Sequence, residues 1–168
     1  PTVSENQAIS QMIRNQRKEY IPQLFKFAQI VMATNKNAAQ YATCGTGEKF
    51  WSVWREQDTE FIDKILSYAV VDRTVTTQDK NIVSLFEKSR LLKLTKYFVL
   101  YDANIKKICR YQQFFAVEEI IKTINTYDSE GRRNGGVIWH TQGSGKSLTM
   151  VMVGKYILME MSKSNPRG

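Results

Sequence analysis

Cysteine and histidine are scarce in this sequence, which has two cysteines and one histidine among its 168 residues. Zinc clusters need several closely spaced Cys or His ligands, and disulfide scaffolds are dense in cysteine. Cys44 and Cys109 are far apart in the chain. The composition therefore excludes a zinc cluster and a disulfide-stapled fold, and it predicts a protein of the reducing cytoplasm.

Long apolar runs are also missing. The most apolar stretch, residues 148–161, contains Gly154, Lys155 and Glu160, and it is shorter than the roughly 20 residues that a membrane-spanning helix requires. The first residues do not have the basic, apolar and small-residue pattern of a signal peptide. We therefore expect neither a membrane span nor a membrane partner.

The sequence does contain enough apolar material for a core and an excess of positive charge. Hydrophobic residues make up 42% of the chain, and 24 Lys and Arg against 16 Asp and Glu give a net charge of +8. The apolar content argues against global disorder. Such a charge attracts nucleic acid, acidic lipid or nucleotide without distinguishing among them; we take it as support for DNA.

The first third of the sequence predicts a helix followed by extended segments. Ser4 and Gln7 have the spacing of a capping box, and a helical pattern continues to Tyr20. Pro22 ends the helix, because a proline disfavours the helical conformation of the residue before it, here Ile21. Extended segments are predicted at 24–34, from the turn at 35–37 to Tyr41, and at 49–55, and the first two form a hairpin.

The remaining pattern is helical until a glycine-rich stretch. Helices are predicted at 60–70 and 80–100, and a third helix begins at Ile105 or Tyr111 and ends at Ile124. Residues 128–136 are polar and glycine-rich, which predicts a loop. A short buried strand, Val137–His140, and a helix at 148–161 follow it.

The clearest chemical signal is the segment from His140 to Ser147, which ends in Gly-Lys-Ser between a predicted strand and a predicted helix. Gly143 and Gly145 let the backbone curl so that its N–H groups point at phosphate oxygens. Lys146 neutralises the β and γ phosphates, and the Ser147 hydroxyl is a ligand for Mg²⁺. The predicted ATP-binding residues here are Thr141, Gln142, Gly143, Ser144, Gly145, Lys146 and Ser147.

The first position of the usual Gly-x-x-x-x-Gly-Lys-Ser/Thr spacing is His140. Helicase-type motors often relax this position, so the departure favours a motor over a small-molecule kinase. Upstream, Arg110–Gln113 resembles the Q motif of superfamily 2 helicases. That resemblance implies that the Gln113 amide, which offers a donor and an acceptor side by side, reads the adenine edge.

A third feature is Gln16 and Tyr20, which lie four residues apart and share one face of the predicted helix. RecB-like nucleases have a similar Gln-x-x-x-Tyr helix beside their metal-binding carboxylates. The resemblance implies that Gln16 and Tyr20 help to position DNA or the acidic residues of a nuclease. An amphipathic helix with a half-buried tyrosine is the alternative interpretation.

Longer stretches resemble the R subunits of type I restriction enzymes. Ile21–Phe25, Ala33–Asn35, Gly45–Thr46 and Lys49–Trp54 resemble the end of the nuclease domain of that family. Gly135–Met150, with its Trp-His-Thr-Gln extension before the glycines, resembles the opening of the motor domain. This resemblance covers almost the whole chain.

The resemblance implies an α/β chain in three parts. Residues 1–58 are the C-terminal part of a restriction-endonuclease-like (RecB-like) nuclease domain, 59–103 are connecting helices, and 104–168 begin a RecA-like motor lobe with its first strand, phosphate loop and helix. It further implies ATP-dependent translocation and cleavage of double-stranded DNA, with ATP and Mg²⁺ as cofactors. The partners implied are the methylation and specificity subunits of the same enzyme.

Parts of that machinery are not found in this sequence. The family's nuclease carboxylates, an Asp and a Glu-x-Lys, have no counterpart among Glu5, Glu19 and Asp58, and a later acidic box and the arginines of a second lobe complete ATP hydrolysis. We therefore expect an internal segment that is inactive by itself. Two other interpretations are a nucleotide kinase or other P-loop NTPase, and a non-catalytic DNA-binding or scaffold module.

Overall fold

The computed structural model describes the backbone of residues 4–139 and 141–164. Backbone contacts divide the chain into two compact units, one reaching to Arg110 and the other beginning at Tyr111. In the described part, seven α-helices, a short 3-10 turn and two small sheets give the predicted α/β class. The elements are α1 Glu5–Asn15, α2 Pro22–Phe25, β1 Val31–Asn35, β2 Ala38–Ala42, the 3-10 turn Glu48–Phe50, α3 Thr59–Ala69, α4 Thr77–Phe86, α5 Lys88–Tyr97, β3 Val99–Asp102, β4 Ile105–Ile108, α6 Tyr111–Ile124 and α7 Lys146–Ser164.

Helix α1 packs on the hairpin that β1 and β2 form. Ser4 caps the helix, although its hydroxyl accepts the N–H of Asn6 at 3.3 Å, so the predicted capping box with Gln7 is wrong. Apolar side chains from the helix, both strands and the following turn make a common core, which consists of Ile9, Val31, Ala33, Ala42 and Trp51. Burial of these side chains provides most of the stabilisation of this part of the fold.

The β1–β2 hairpin confirms the turn predicted at residues 35–37. The strands pair antiparallel from Val31 opposite Ala42 to Asn35 opposite Ala38. The Asn35 side-chain oxygen accepts the N–H groups of Asn37 and Ala38, both at 2.9 Å, which is how an asparagine stabilises a tight turn. The extended segment predicted from Leu24 begins only at Val31, because Pro22 starts the short helix α2.

Helix α1 ends at Asn15, five residues before the predicted end at Tyr20. The Gln16 N–H donates to the carbonyls of Ile13 and Arg14, and the Ile21 N–H donates back to the Asn15 carbonyl at 3.1 Å. The chain therefore folds back in a turn where the sequence predicts about one and a half more helical turns. Local spacing could not reveal this, because contacts with a distant loop hold the turn.

The strand predicted at residues 49–55 is wrong. Glu48–Phe50 form a 3-10 turn, and only Ser52 pairs with a strand, exchanging two backbone hydrogen bonds of 2.8 and 2.9 Å with Tyr41. Trp51 and Trp54 nevertheless enter the core, with 7% and 4% of their surface exposed. Burial of the two indole rings therefore holds residues 49–55 in place, although they do not form a strand of the sheet.

The helix predicted at 60–70 is confirmed by α3, whereas the segment predicted as one helix at 80–100 is helical only to Tyr97 and contains two helices. It is divided into α4 and α5 by Glu87, whose ψ of 135° is not helical and whose carboxylate accepts the Arg90 N–H at 2.9 Å. Helix α4 also starts earlier than predicted, in a capping box between Thr76 and Asp79.

A second hairpin, which the sequence reasoning missed, follows α5. Strands β3 and β4 pair antiparallel from Val99 opposite Ile108 to Asp102 opposite Ile105. The two turn residues, Ala103 and Asn104, have φ angles of 47° and 66°, as the favoured two-residue hairpin turn requires. The helix that could begin at Ile105 or Tyr111 therefore begins at Tyr111.

A buried polar network lies inside the first unit. The Arg90 guanidinium and the Glu56 carboxylate are 3.0 Å apart, and their side chains are 9% and 7% exposed. Trp54 donates its indole N–H to the same carboxylate at 2.9 Å, and the guanidinium lies 4.8 Å from the centre of the Phe61 ring. Because each charge has nearby partners, the ion pair can be accommodated in the interior.

Helices α6 and α7 pack together in the second unit, where Phe114, Val117 and Met152 are buried. Residues 128–136 contain neither helix nor strand apart from one bridge between Tyr127 and Arg133, which confirms the predicted loop. The division of the chain into nuclease, connecting and motor segments stays a prediction.

Candidate functional site

The phosphate-loop segment has the backbone conformation that the glycines predict. Residues 141–145 form an irregular turn, Gly143 and Gly145 have φ angles of 76° and 85°, and α7 begins directly at Lys146. Residues other than glycine rarely adopt such φ angles. The helix therefore begins earlier than the predicted residue 148, and it places the lysine and Ser147 in its first turn.

Short-range hydrogen bonds hold this loop. The N–H and the hydroxyl of Ser144 donate to the Thr141 carbonyl at 3.3 and 2.7 Å. The Gly145 carbonyl accepts the N–H of Thr149 at 3.1 Å and its hydroxyl at 3.3 Å. Thr149, which is 5% exposed, was not among the predicted site residues. Its signal in the sequence was its position one helical turn after the last glycine.

Gln113 contacts the loop from helix α6. Its side chain is buried, and its amide nitrogen donates to the carbonyls of Ser144 at 3.3 Å and Gly145 at 3.1 Å. A Cβ atom at position 145 would lie only 2.4 Å from that nitrogen. The glycine therefore serves two purposes, since it permits the turn and leaves room for the glutamine.

The Gln113 contacts bring two separate sequence predictions into one site. The sequence singled out Gln113 as a reader of adenine, whereas its amide contacts the phosphate loop directly in this structure. Gln112, the neighbouring glutamine, is exposed. Spacing favoured Gln113 over Gln112, but an anchoring role toward the loop could not be predicted from spacing, because it depends on how α6 and α7 pack.

The mouth of the loop is open to solvent. Thr141, Gln142, Gly143, Lys146 and Ser147 are all exposed. The first turn of α7 has no acidic residue, and the N–H groups of a first turn have no partner within their own helix. Free backbone donors, the positive end of the helix and the lysine favour an anion at this position. A serine hydroxyl beside them fits a Mg²⁺ ion that accompanies a nucleotide.

The strand predicted directly before the loop is not present. Residues 137–139 have no regular structure, and Val137 and Trp139 are 95% and 93% exposed; His140, the last predicted residue, lies outside the described residues. A parallel strand becomes stable only when neighbouring strands pair with it. In the described part of the second unit no other strand is available to pair with it.

The structure separates the nuclease-like pair. Gln16 follows the end of α1, where its amide nitrogen donates to the Met12 carbonyl at 3.1 Å and its amide oxygen accepts the Gly45 N–H at 2.7 Å. Tyr20 lies in the turn beyond, 51% exposed, and its ring faces the Arg14 guanidinium at 5.4 Å. The prediction that the two share a helical face is therefore wrong, and their role in a nuclease stays a prediction.

The described residues contain no group of three or more His, Cys, Asp and Glu side chains placed to hold a metal ion. Among the helices in the same ranges, none is long and apolar enough to cross a bilayer.

Two family models match separate parts of the chain. Residues 1–50 match the N terminus of the type I restriction enzyme R protein, and residues 112–167 match the SWI2/SNF2 ATPase. The second match includes Gln113 and the whole phosphate loop, whereas Gln16 and Tyr20 lie in the first. The family matches thus divide the two candidate sites in the same way as the two compact units.

Similar proteins are endonuclease subunits by name. The chain is 28% identical over 158 residues to a Methanocaldococcus jannaschii protein named as the MjaIXP endonuclease subunit of a type I restriction enzyme, covering 87% of this chain and 15% of that protein. It is also 28% identical over 162 residues to the HindI endonuclease subunit of Haemophilus influenzae, covering 89% and 14%. The chain thus spans about 15% of the length of these relatives. The two family models and the similarity over most of its length together support a fragment of a type I restriction enzyme R subunit.

Proposed function

We propose that this chain is part of the restriction subunit of a type I restriction-modification enzyme, which uses ATP to translocate double-stranded DNA and cleaves it endonucleolytically. In this proposal the methylation and specificity subunits of the same enzyme are its partners. The names of the relatives and the match to the SWI2/SNF2 ATPase support the proposal. The role of the chain itself is to bind ATP.

The observation that carries this proposal is the glycine loop held by Gln113. Positive φ angles at Gly143 and Gly145 turn the backbone toward the start of α7, and the buried glutamine fixes two loop carbonyls from outside the loop. A preformed loop binds a triphosphate better than a mobile one, because less conformational entropy is lost on binding.

Individual residues have separate roles in this binding. The backbone from Thr141 to Gly145 would surround the phosphates, Lys146 would neutralise their charge, and Ser147 would ligate the accompanying Mg²⁺. When bound, the metal ion supplies charge neutralisation at the phosphate oxygens. Gln113 would hold the loop in shape and, by the resemblance to the helicase Q motif, would also contact adenine.

Calorimetry with Mg-ATP tests the phosphate-binding role. We expect Lys146→Ala to weaken binding by at least about tenfold, since a charged hydrogen bond to phosphate contributes on the order of 1.5–3 kcal/mol. Lys122→Ala is the matched control, because Lys122 is an exposed lysine on α6 of the same unit and its removal changes the net charge equally. Equal affinity of the two variants, or no binding by the unchanged chain at millimolar ATP, would contradict the proposal.

A second experiment separates the two roles of Gln113. The affinities of Gln113→Ala for Mg-ATP and Mg-GTP are compared with those of Gln112→Ala, which changes an exposed neighbour. If Gln113 only anchors the loop, both nucleotides lose affinity equally. If it also reads adenine, the preference for ATP over GTP decreases. Unchanged affinity for both nucleotides would mean that the buried amide has neither role.

A further inference from the structure

Positive charge is concentrated near the start of the chain. From the first residue of α1 to Arg55 there are seven Lys and Arg residues and three acidic ones, Glu5, Glu19 and Glu48, whereas the whole chain has 24 and 16. Half of the charge excess therefore belongs to the segment that contains α1 and the first hairpin. This uneven distribution points to a local surface for a polyanion and not to a general effect on solubility.

Helix α1 presents a polar face to solvent. Its buried side is formed around Ile9, and polar side chains recur every three or four residues on the exposed side. That side borders an open surface depression of about 580 Å³. Its lining consists of Asn6, Gln7, Ser10, Gln11, Arg14 and Arg17. From Gln7 to Arg14 the face extends about 10 Å along the helix axis at 1.5 Å per residue, or about three base-pair steps of duplex DNA.

Acidic side chains do not interrupt this face. Glu5, the acid in the first turn of α1, contacts the Asn35 amide of the hairpin at 3.5 Å. Arg14 and Arg17 are exposed and belong to the last turn of α1 and the turn that follows. The guanidinium groups can therefore approach an external phosphate without first breaking a carboxylate ion pair on the lining of the depression.

Tyr20 holds one of these arginines. The Arg14 guanidinium carbon lies 5.4 Å from the centre of the Tyr20 ring, a distance at which a cation is attracted to the face of an aromatic ring. An arginine stacked on a ring loses less side-chain freedom when it binds phosphate, because its orientation is already restricted. The early end of α1 creates this contact, since it brings the tyrosine back toward the helix.

We propose that the outer face of α1, with Arg14 and Arg17 as its cations, binds the sugar-phosphate backbone of double-stranded DNA. Tyr20 is a positioning residue that orients Arg14 through its ring. This inference rests on the proposed function, in which DNA is the substrate, and it gives one surface for that substrate. The neutral amides and the serine of the depression supply hydrogen bonds to phosphate and sugar oxygens. We favour DNA over a membrane surface, because helices that bind membranes carry large apolar side chains on the face that they insert, and the lining of this depression has none.

Fluorescence anisotropy with a labelled DNA duplex over a series of salt concentrations tests this face. We expect Arg14→Gln combined with Arg17→Gln to weaken DNA binding. The slope of log Kd against the logarithm of the salt concentration should decrease by about 1.8, since each phosphate contact contributes about 0.9. The matched control combines Lys64→Gln and Lys80→Gln, which removes two exposed lysines from α3 and α4. Equal losses in the two double variants would overturn the proposal, because only total charge would then matter.

Substitutions of Tyr20 test the positioning role. Tyr20→Phe keeps the ring and should keep DNA affinity, whereas Tyr20→Ala should lose several-fold. The same loss in both would mean that the hydroxyl, and not the ring, carries the effect, which contradicts the stacking role. Tyr20 is 51% exposed, so unchanged urea unfolding midpoints serve as the check on folding.

Two further outcomes separate this surface from the proposed function. Tighter binding to anionic lipid vesicles than to the duplex would assign the face to a membrane and overturn the DNA proposal. ATP binding by the unchanged chain is measured separately. If ATP binds while the Arg14 and Arg17 changes have no effect on DNA, the face alone is wrong; if ATP does not bind, the proposed function fails whatever the DNA result.

Discussion

In the first unit, polar side chains form hydrogen bonds with residues far away in the sequence. In the second unit, most hydrogen bonds of the glycine loop are with residues only three or four positions away. The Tyr41 hydroxyl donates to the Cys109 carbonyl 68 residues away, and the Thr43 hydroxyl donates to the Lys106 carbonyl 63 residues away. In the loop, Ser144 and Thr149 bond to carbonyls three and four residues away. The hydrogen bonds of the first unit thus form only when its distant segments pack together. The loop conformation depends on its glycines, on hydrogen bonds between near neighbours and on the contacts from Gln113.

Breaking the buried ion pair is expected to have the largest effect. Arg90→Met would leave the Glu56 carboxylate buried without its cation, at a cost of about 3–5 kcal/mol in the free energy of unfolding of the first unit. Glu56→Gln combined with Arg90→Met should recover much of this, since no buried charge remains and the amide still accepts the Trp54 N–H. Urea unfolding followed by tryptophan fluorescence measures both. A loss below about 1 kcal/mol in the single variant would mean that water reaches the pair.

The two glycines of the loop provide a matched comparison in the second unit. In Gly143→Ala the only expected strain comes from the φ of 76°, because nothing lies within 4 Å of the added Cβ. This variant should weaken ATP binding by about tenfold, or about 1–2 kcal/mol. Gly145→Ala has a similar φ and also displaces Gln113, so it should weaken binding further. Calorimetry measures both. Equal losses would show that the Gln113 contact contributes nothing to the loop.

Removing the Tyr41 hydroxyl should have a smaller effect that depends on pH. Tyr41→Phe leaves the Cys109 carbonyl without its donor and should cost about 1 kcal/mol at neutral pH. Burial raises the pKa of Tyr41 well above its usual value, with a further rise from nearby Cys109. The folded protein therefore keeps the proton at a pH where the unfolded chain releases it, and the stability of the unchanged protein falls as pH rises above about 10.

Urea unfolding at several pH values measures this difference. The gap between the unchanged protein and Tyr41→Phe should narrow above pH of about 10, because only the tyrosine protein loses stability from this group. Tyr101→Phe is the control, since Tyr101 is 73% exposed. A gap that stays constant up to pH of about 11 would indicate that the hydroxyl is reached by water in the folded state.

The smallest effect is expected at an exposed ion pair of the first unit. Arg73 and Asp79 are 2.6 Å apart, but the arginine side chain is 57% exposed, and water screens such pairs. Arg73→Ala should leave the urea midpoint unchanged within error. Thr76→Ala, which removes the cap of the same helix, should cost about 1 kcal/mol. A larger effect from the arginine than from the cap would contradict this ranking.

Local chemistry made several elements of this protein predictable. Asn35–Asn37 marked a hairpin turn, the spacing at 60–70 marked α3, and the glycines before Lys146 marked the turn into α7. Each of these signals acts within a few residues, through a side-chain hydrogen bond to the backbone or a φ angle that favours glycine. The glycine turn and the helix that follows it could therefore be predicted from the sequence, whereas the phosphate-binding role of their residues stays a prediction.

Two of the wrong predictions have the opposite property. The helical spacing from Ser4 to Tyr20 is satisfied only to Asn15, since Gln16 bonds to Gly45 from a distant loop. The segment 49–55 has aromatic residues suited to a strand, but Trp51 and Trp54 are fixed by burial in the core. In both cases contacts remote in sequence outweighed local propensity, which is a weak preference by comparison.

The sequence by itself determined the glycine turn before α7, because positive φ angles at glycines depend on the residues themselves and their near neighbours. Only the tertiary structure decided what Gln113 and Tyr20 contact. Gln113 reaches the loop because α6 packs on α7, and Tyr20 reaches Arg14 because the chain turns back after α1. The physical reason is the same for both: side-chain contacts between elements depend on packing, which periodicity in the sequence does not specify.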